Sequence, residues 1–226
     1  MYLLSTIDIM KIPVIINNRD RLTTLRKLID DLILLGYSNI FVLDNQSTYK
    51  ALLEYYQDCP AEVIYLNKNI GHTALWGSGV LKRFPNSEWI VYTDSDIELN
   101  KNTQRGFIEK MITIAQDFRV NKVGLAIQIH DLPDNKLCNQ IRQIEGQYWT
   151  NRLQHTRHQV YNAKVDTTFH VLRNGTPYSY DAIRVGGEGF TIKHCPWYLD
   201  WNNLSEEEQY YFNYADSRIA TIKQLL

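Results

Sequence analysis

Apolar and polar positions alternate along this chain in blocks. The compact run Ile12-Pro13-Val14-Ile15-Ile16 predicts a strand over residues 11–17, with Pro13 near the start, where a strand tolerates it. A polar loop follows, Asn17-Asn18-Arg19-Asp20-Arg21. Leu22, Leu25, Leu28, Ile29, Leu32 and Leu35 then fall at helical spacing, and Gly36 is a natural stop, so residues 22–35 are expected to form a helix. The cycle repeats with a strand over residues 39–43 ending in Asp44-Asn45-Gln46-Ser47 and a helix over residues 49–57. A strand over residues 62–66 ends in Asn67-Lys68-Asn69-Ile70-Gly71-His72, and a helix over residues 73–81 follows. Trp89-Ile90-Val91-Tyr92-Thr93 is the next buried run, and it closes on Asp94-Ser95-Asp96.

The later part is less regular. A helix is predicted over residues 100–118, a strand over residues 123–129 ending at His130-Asp131, and a helix over residues 141–153 carrying Glu145 and Trp149. Residues 160–173 are rich in β-formers around Asp166, and Asn174-Gly175 signals a turn. Residues 183–193 hold Gly186, Gly187 and Gly189 around Glu188, and Ser205-Glu206-Glu207-Glu208 reads as a capping box opening a last helix. Strand, loop and helix in alternation imply right-handed crossovers and a largely parallel sheet, hence an α/β fold. Ligands of such sheets sit outside the carboxyl ends of the strands. The polar loops at Asn17, Asp44, Asn69 and Asp94 all lie there. No Gly-x-Gly-x-x-Gly follows the first strand and no Gly-x-x-x-x-Gly-Lys occurs, which disfavours a dinucleotide fold or a phosphate-loop enzyme.

Composition narrows the chemistry only a little. The 226 residues suit one α/β domain, and no repeat, low-complexity segment or linker divides it. Twenty-four basic and 25 acidic side chains leave a net charge of -1, so no basic field points to nucleic acid. Cys59, Cys138 and Cys195 are widely separated and odd in number, which argues against a disulfide framework or zinc site and for a reducing compartment. The first residues lack the basic and apolar regions of a signal peptide, and no apolar run reaches transmembrane length. The expected location is cytoplasmic, with attachment to the inner face of a membrane through a partner left open.

Asp94 and Asp96 carry the main chemical signal. Residues i and i+2 of an extended segment point to one side, so both carboxylates converge at the strand's end. A cation between them relieves their repulsion, and hard oxygen ligands favour Mg²⁺ or Mn²⁺ with positions left for a substrate's phosphates.

Several segments together resemble the GT-A-fold glycosyltransferases, most nearly the bacterial family-2-like enzymes. They are Pro13-Val14-Ile15-Ile16-Asn17-Asn18-Arg19, Val42-Leu43-Asp44-Asn45, Asn67-Lys68-Asn69-Ile70-Gly71-His72 and Thr93-Asp94-Ser95-Asp96. Weaker matches follow in Asp131-Leu132-Pro133, Val165-Asp166-Thr167-Thr168-Phe169 and His194-Cys195-Pro196-Trp197-Tyr198. The resemblance implies a Rossmann-like sandwich with a mostly parallel central sheet flanked by helices. It implies one domain over residues 1–226, with a nucleotide-sugar-binding half to about residue 100 and an acceptor-binding half after it. It assigns Asn17, Arg19, Asp44, Asn69, Gly71 and Asp94 to the donor, and Asp94, Asp96 and the late His194 to Mn²⁺ or Mg²⁺.

The implied activity is metal-dependent transfer of a sugar from a nucleotide donor, UDP-linked by first choice, to a saccharide, lipid-linked saccharide or other hydroxyl acceptor. Bacterial cell-surface polysaccharide or glycoconjugate synthesis is the setting this implies. Inverting transfer needs a carboxylate base. Asp166 is the first candidate, Glu188 the second, and Glu145 a third. No Glu-Asp pair stands where the common inverting enzymes place their base, so retention stays the second choice. Trp149, Trp197 and Tyr198 are candidates to stack on an acceptor. Two other readings compete: a nucleotidyltransferase that makes a nucleotide sugar, disfavoured by the glycine-free first loop, and a catalytically silent scaffold subunit, disfavoured by the intact Asp94 and Asp96.

Overall fold

The apolar runs become the central strands of one sheet in a computed structural model, which describes residues 12–214. The first half builds β1 (Val14–Asn18), α1 (Thr23–Leu34), β2 (Ile40–Asp44), α2 (Lys50–Tyr55), β3 (Glu62–Tyr65), α3 (Ala74–Gly77) and β4 (Trp89–Asp94). The rest builds β5 (Ile97–Leu99), α4 (Phe107–Phe118), β6 (Lys122–Ile127), α5 (Lys136–Gly146), β7 (Arg152–Leu153) and β8 (Gln159–Asn162). It closes with β9 (His170–Arg173), β10 (Ile183–Gly186), β11 (Thr191–His194) and α6 (Glu206–Tyr214). The strands pair in the order β3-β2-β1-β4-β9-β6-β10-β8-β7, with β11 paired to both β5 and β6.

The pairings among β1, β2, β3 and β4 are parallel, as is that between β6 and β10. Strand β9 runs antiparallel to both β4 and β6 between them. The sheet is therefore mostly parallel at its core, as the alternation predicts. β1, β4 and β6 are buried along nearly all their length because helices cover both faces, and this is why they read as continuous apolar runs. Leu25, Leu28, Ile29 and Leu32 of α1 bury one stripe against the sheet, and Phe107, Ile108, Met111, Ile112 and Ala115 of α4 bury another. The two sequence halves interleave: β9, from beyond residue 100, lies hydrogen-bonded against β4.

Three predicted helices differ in extent. The one expected over residues 73–81 is broken into a 3-10 turn, the four-residue α3 and a second 3-10 turn, because Gly79 takes φ +77° between them. The one expected from residue 100 begins at Phe107, since Asn100 instead bonds Thr191 Oγ1 (2.8 Å) and caps the backbone N–H of Asn102. The one expected over residues 141–153 starts earlier, where Asn135 accepts from the Cys138 N–H at 2.8 Å, and ends at Gly146. Arg152 and Leu153 then join the sheet beside β8. The capping box at Ser205 is present: its hydroxyl accepts from Glu208 N–H, and the Glu208 carboxylate accepts from Ser205 N–H. Residue 11 of the first predicted strand lies outside the described residues.

Two polar side chains are buried beside β9. Lys122 is 3% exposed and donates to the carbonyls of Val165 (2.7 Å), Asp166 (3.1 Å) and Ser179 (2.9 Å), which ties β6 to the loops before and after β9. That loop packs closely: a Cβ on Gly124 of β6 would stand 2.6 Å from a methyl group of Val165. His170 is fully buried, its Nδ1 2.7 Å from the Thr168 carbonyl and its Nε2 without a partner among the described residues. Burial first, and then the Lys122 charge, lower its pKa from 6.5 to about 3.

Two outcomes follow for stability. Between pH 6.5 and about 3 the unfolded chain binds a proton at His170 that the folded state refuses. Stability should therefore be fully present above pH 6.5 and fall below it by up to about 1.4 kcal/mol per pH unit. The measurement is denaturant unfolding across pH for the native chain and His170→Gln; equal pH slopes would remove His170 as a cause. Lys122→Met leaves one buried and two partly buried carbonyls without a charged donor and should cost about 3 kcal/mol in the same assay.

Candidate active site

The loops at the carboxyl ends of β1, β2, β3 and β4 meet around a chain of amides. Asn45 Nδ2 donates to the Gly71 carbonyl (2.8 Å) and to Asn17 Oδ1 (3.4 Å), while its Oδ1 accepts from Ile70 N–H (2.7 Å). Asn17 Nδ2 in turn reaches Asp94 Oδ1 at 3.4 Å, and Asn69 Oδ1 accepts from the Gly71 N–H at 2.9 Å. Asn17, Asn69, Gly71 and Asp94 are thus brought together. Asn45 is the hub, a role that its place in the Val42-Leu43-Asp44-Asn45 segment does not reveal.

Asp44 is placed differently. It is 3% exposed; its Oδ1 accepts from Tyr56 Oη (2.9 Å) and its Oδ2 from Ser47 N–H (3.1 Å). Its carboxylate braces the turn after β2, and Gln46 is the exposed residue at that edge. Asp20, with φ +52°, accepts from the N–H groups of Thr48 (2.6 Å) and Tyr49 (2.8 Å) ahead of α2. Arg19, about a quarter exposed, lies beside Asp20 (3.5 Å), and its Nη2 reaches the Tyr214 carbonyl (3.4 Å).

The carboxylates collect at the end of β4. Thr167 Oγ1 donates to Asp94 Oδ2 at 2.6 Å, and the Asp94 N–H bonds the Thr167 carbonyl at 3.0 Å. This fastens the loop carrying the exposed Asp166 alongside Asp94. Burial, and then the charge of Asp96, push the Asp94 carboxyl well above its ordinary range. Asp166 adds to the rise, while the Thr167 and Asn17 hydrogen bonds oppose it. Burial beside a second carboxylate is thus what opposes the charge on Asp94.

Strand β5 explains how His194 arrives. The chain bends after Asp94, and β5 pairs antiparallel with β11 so that His194 stands opposite Ile97. The Cys195 N–H then bonds the Asp96 carbonyl (2.9 Å), and His194 Nε2 lies 3.8 Å from Asp96 Oδ1. Asp96 Oδ1 and His194 Nδ1 are buried with no hydrogen-bond partner among the described residues. No group of three or more His, Cys, Asp or Glu side chains among those residues forms a ready metal cage. An orphaned carboxylate oxygen beside an imidazole nitrogen nevertheless fits a hard divalent ion, and so short a protein ligand set leaves positions for phosphate oxygens. Burial, Asp96 and Glu98 push the nearby Cys195 thiol up to about 12, which favours the protonated thiol.

The other candidates are dispersed. Glu188 accepts from Asn102 Nδ2 (3.3 Å), and no hydrogen bond or ion pair joins it to Asp94, Asp96 or Asp166 among the described residues. Glu145 forms a buried ion pair with Arg184 (2.7 Å), which removes it as a free base. Trp149 lies beneath Gly186, its Nε1 donating to the Ile127 carbonyl (3.2 Å), which is the environment of a packed indole. Trp197 packs against the His194 ring at 4.8 Å, and Tyr198 Oη bonds Asp131 Oδ1 at 2.7 Å.

An aromatic group not singled out in the sequence stands nearer the carboxylates. Tyr178 Oη donates to Asp166 Oδ1 (3.2 Å), and its ring meets Trp76 (5.0 Å), Tyr180 (5.5 Å) and His72 (5.7 Å). The closely spaced tyrosines in Tyr178-Ser179-Tyr180 were the available signal.

No family model matches the sequence, and no curated protein matches it. Solved structures do share its fold. GalNAc-T7 with UDP, GalNAc and Mn²⁺ superposes with a TM-score of 0.54 at 10% identity, over 87% of this chain and 45% of that one. UDP-glucose pyrophosphorylase from Acinetobacter baumanii superposes at 0.53 and 10% identity, over 96% of this chain and 98% of that one. Mannose-1-phosphate geranyltransferase from Thermus thermophilus gives 0.51 and 10%, over 81% and 76%. The chain thus spans less than half the length of GalNAc-T7. What is common to these proteins and this chain is a GT-A-like, Rossmann-type sheet flanked by helices.

Proposed function

We propose that this chain is a glycosyltransferase that moves a sugar from a nucleotide-sugar donor, UDP-linked by first choice, to a hydroxyl of a saccharide or similar acceptor. The observation that carries the reading is the Asp94–Asp96 end of β4, with an orphaned Asp96 oxygen facing His194 and Asp166 fastened alongside through Thr167. The fold shared with nucleotide-sugar enzymes supports the substrate class.

In this reading Asp94, Asp96 and His194 hold Mn²⁺ or Mg²⁺. A divalent ion there supplies Lewis-acid stabilisation of the charge that builds on the departing diphosphate. The amide chain of Asn17, Asn45 and Asn69 with the Gly71 backbone shapes the nucleoside side of the site. Asp166 is exposed at the rim and takes the acceptor hydroxyl's proton, with Tyr178 orienting its carboxylate. The rings of Tyr178, Tyr180 and His72 offer the apolar faces on which a sugar stacks. Glu188 is retained as the second candidate base, and Trp197 and Tyr198, beside His194, as acceptor contacts.

A second reading, nucleotidyl transfer to a sugar phosphate, is favoured by the near-complete mutual coverage with UDP-glucose pyrophosphorylase. The first loop counts against it, since Asn17-Asn18-Arg19-Asp20-Arg21 lacks the glycines that let a backbone approach a triphosphate closely.

Screening nucleotide sugars for Mn²⁺-dependent hydrolysis tests the proposal. The native chain should hydrolyse at least one, Asp96→Ala should abolish this without loss of fold, and a chelator should do the same. Pyrophosphate release from a nucleoside triphosphate and sugar phosphate would establish the second reading instead. With an acceptor in hand, Asp166→Asn should lower transfer by roughly two to four orders of magnitude with donor affinity nearly unchanged. Near-normal transfer in both Asp166→Asn and Glu188→Gln, with the product anomer matching the donor's, would make the reaction a retaining one.

A further inference from the structure

Arg21 takes no part in the chemistry proposed so far, yet its environment is unusual. It is 6% exposed, and its Nε and Nη2 are buried with no hydrogen-bond partner among the described residues. Burying a guanidinium with donors unmade is costly, so such groups are ordinarily paired. What covers Arg21 is the last helix: the Tyr211 ring lies 3.6 Å over the guanidinium carbon and the Phe212 ring 5.4 Å from it. A ring over the face of the guanidinium leaves its in-plane N–H groups without acceptors.

The same spot borders the carboxylates. After burial, Asp96 and Asp94 raise the pKa of the Tyr211 phenol, and Arg21 and Arg19 lower it. The phenol is therefore near enough to the acidic end of β4 and to two arginines of the first loop to feel both. Cys195, next to His194, feels both Asp96 and Arg21. One turn earlier on α6, the Glu207 carboxylate accepts from Leu22 N–H (2.9 Å), Thr23 N–H (3.0 Å) and Thr23 Oγ1 (2.7 Å). Glu207 thus fills the anion-binding start of α1 from within the chain and sets the register that brings Tyr211 onto Arg21.

We propose that Arg21 binds the diphosphate of the nucleotide-sugar donor through its buried Nε and Nη2 edge, and that the Tyr211 turn of α6, which helps to bury the group, moves aside for it. The inference rests on the donor reading and adds a residue to it. A planar guanidinium can take two phosphate oxygens at once, which supplies both missing acceptors. The carboxylates, through a cation, and Arg21 then both meet the diphosphate. Because Glu207 already holds the start of α1, the side chain of Arg21, and not the helix end, is the anion-binding group there.

Calorimetry with inorganic pyrophosphate in the presence of Mn²⁺ tests this on the native chain, Tyr211→Ala, Arg21→Gln and the double variant. Tyr211→Ala should tighten pyrophosphate binding at least about fivefold, since the cover no longer competes with the ligand. Arg21→Gln should weaken it roughly ten- to hundredfold in either background. Where melting curves show that Arg21→Gln does not fold, Arg21→Lys keeps the charge without the fork and should give a smaller loss. Affinity unchanged by Tyr211→Ala, or equal with and without Arg21, would overturn the inference, as would absence of pyrophosphate binding to every variant. Mn²⁺-dependent donor hydrolysis alongside Arg21-independent pyrophosphate binding would overturn it while leaving the donor reading in place. Arg21-dependent binding with no nucleotide sugar hydrolysed would do the reverse, leaving a diphosphate site in an enzyme of another kind.

Discussion

Mutual repulsion among Asp94, Asp96 and Asp166 is the constraint on which the arrangement of the sheet edge depends. The fold gathers these carboxylates where burial already opposes charge, and it opposes the cost with hydrogen bonds from Thr167 and Asn17. Those two bonds come from opposite directions in sequence. Asn17 lies near the end of β1, and Thr167 precedes β9, an antiparallel strand hydrogen-bonded against β4. The reversed strand thus has a direct consequence for the site: it carries a loop from late in the chain to Asp94 that a continued parallel crossover would have delivered to the other end of the sheet.

Supports for this loop lie beneath it. Lys122 holds the carbonyls of Val165, Asp166 and Ser179 together, and Gly124 lets Val165 come within side-chain contact of β6. Buried ammonium groups ordinarily prefer a carboxylate partner. Here three backbone carbonyls serve, so the Asp166 carboxylate remains available at the surface, where Tyr178 is its hydrogen-bond donor. Packing, backbone satisfaction and the exposure of one acid are in this way parts of a single local solution.

The same physics accounts for which features the sequence made legible. β1, β2, β4 and β6 stand out because burial on both faces demands uninterrupted apolar residues. Asp94 and Asp96 stand out because they terminate such a run. The short strands β5, β7, β9 and β11 do not, since two to four residues carry no periodicity and their pairing is decided by distant partners, as when His194 meets Ile97. Aromatic residues are hard to sort for a related reason. An indole on a sugar and an indole in a core look alike in sequence, and Trp149 packs beneath Gly186 while Tyr178 stands by the acid. Asp44 ends a strand just as Asp94 does, but a tyrosine twelve residues on meets its Oδ1 and turns it into a brace. Arg21 was hidden most completely, because its burial exists only once a helix some 190 residues later has docked (211 − 21).

Charge placement gives the proposed reading its geometry. The chain as a whole is nearly neutral, but charges of both signs, Arg19 and Arg21 with Asp94 and Asp96, act on Tyr211. In the proposed reading a ligand that meets both sets of charges offers negative charge to a cation and to a guanidinium, as a diphosphate does. The bond that reacts then depends on what lies beyond the diphosphate. In nucleotidyl transfer the attacked atom is the phosphorus next to the nucleoside, so the incoming group must approach from the sugar-phosphate side, and a general base is not the first need. In glycosyl transfer the attacked atom is the sugar carbon beyond the second phosphate, and a carboxylate must wait past the cation, away from the arginines. Asp166 answers to that description through its tie to Asp94 by way of Thr167, and the rings around Tyr178 extend the site in the same direction.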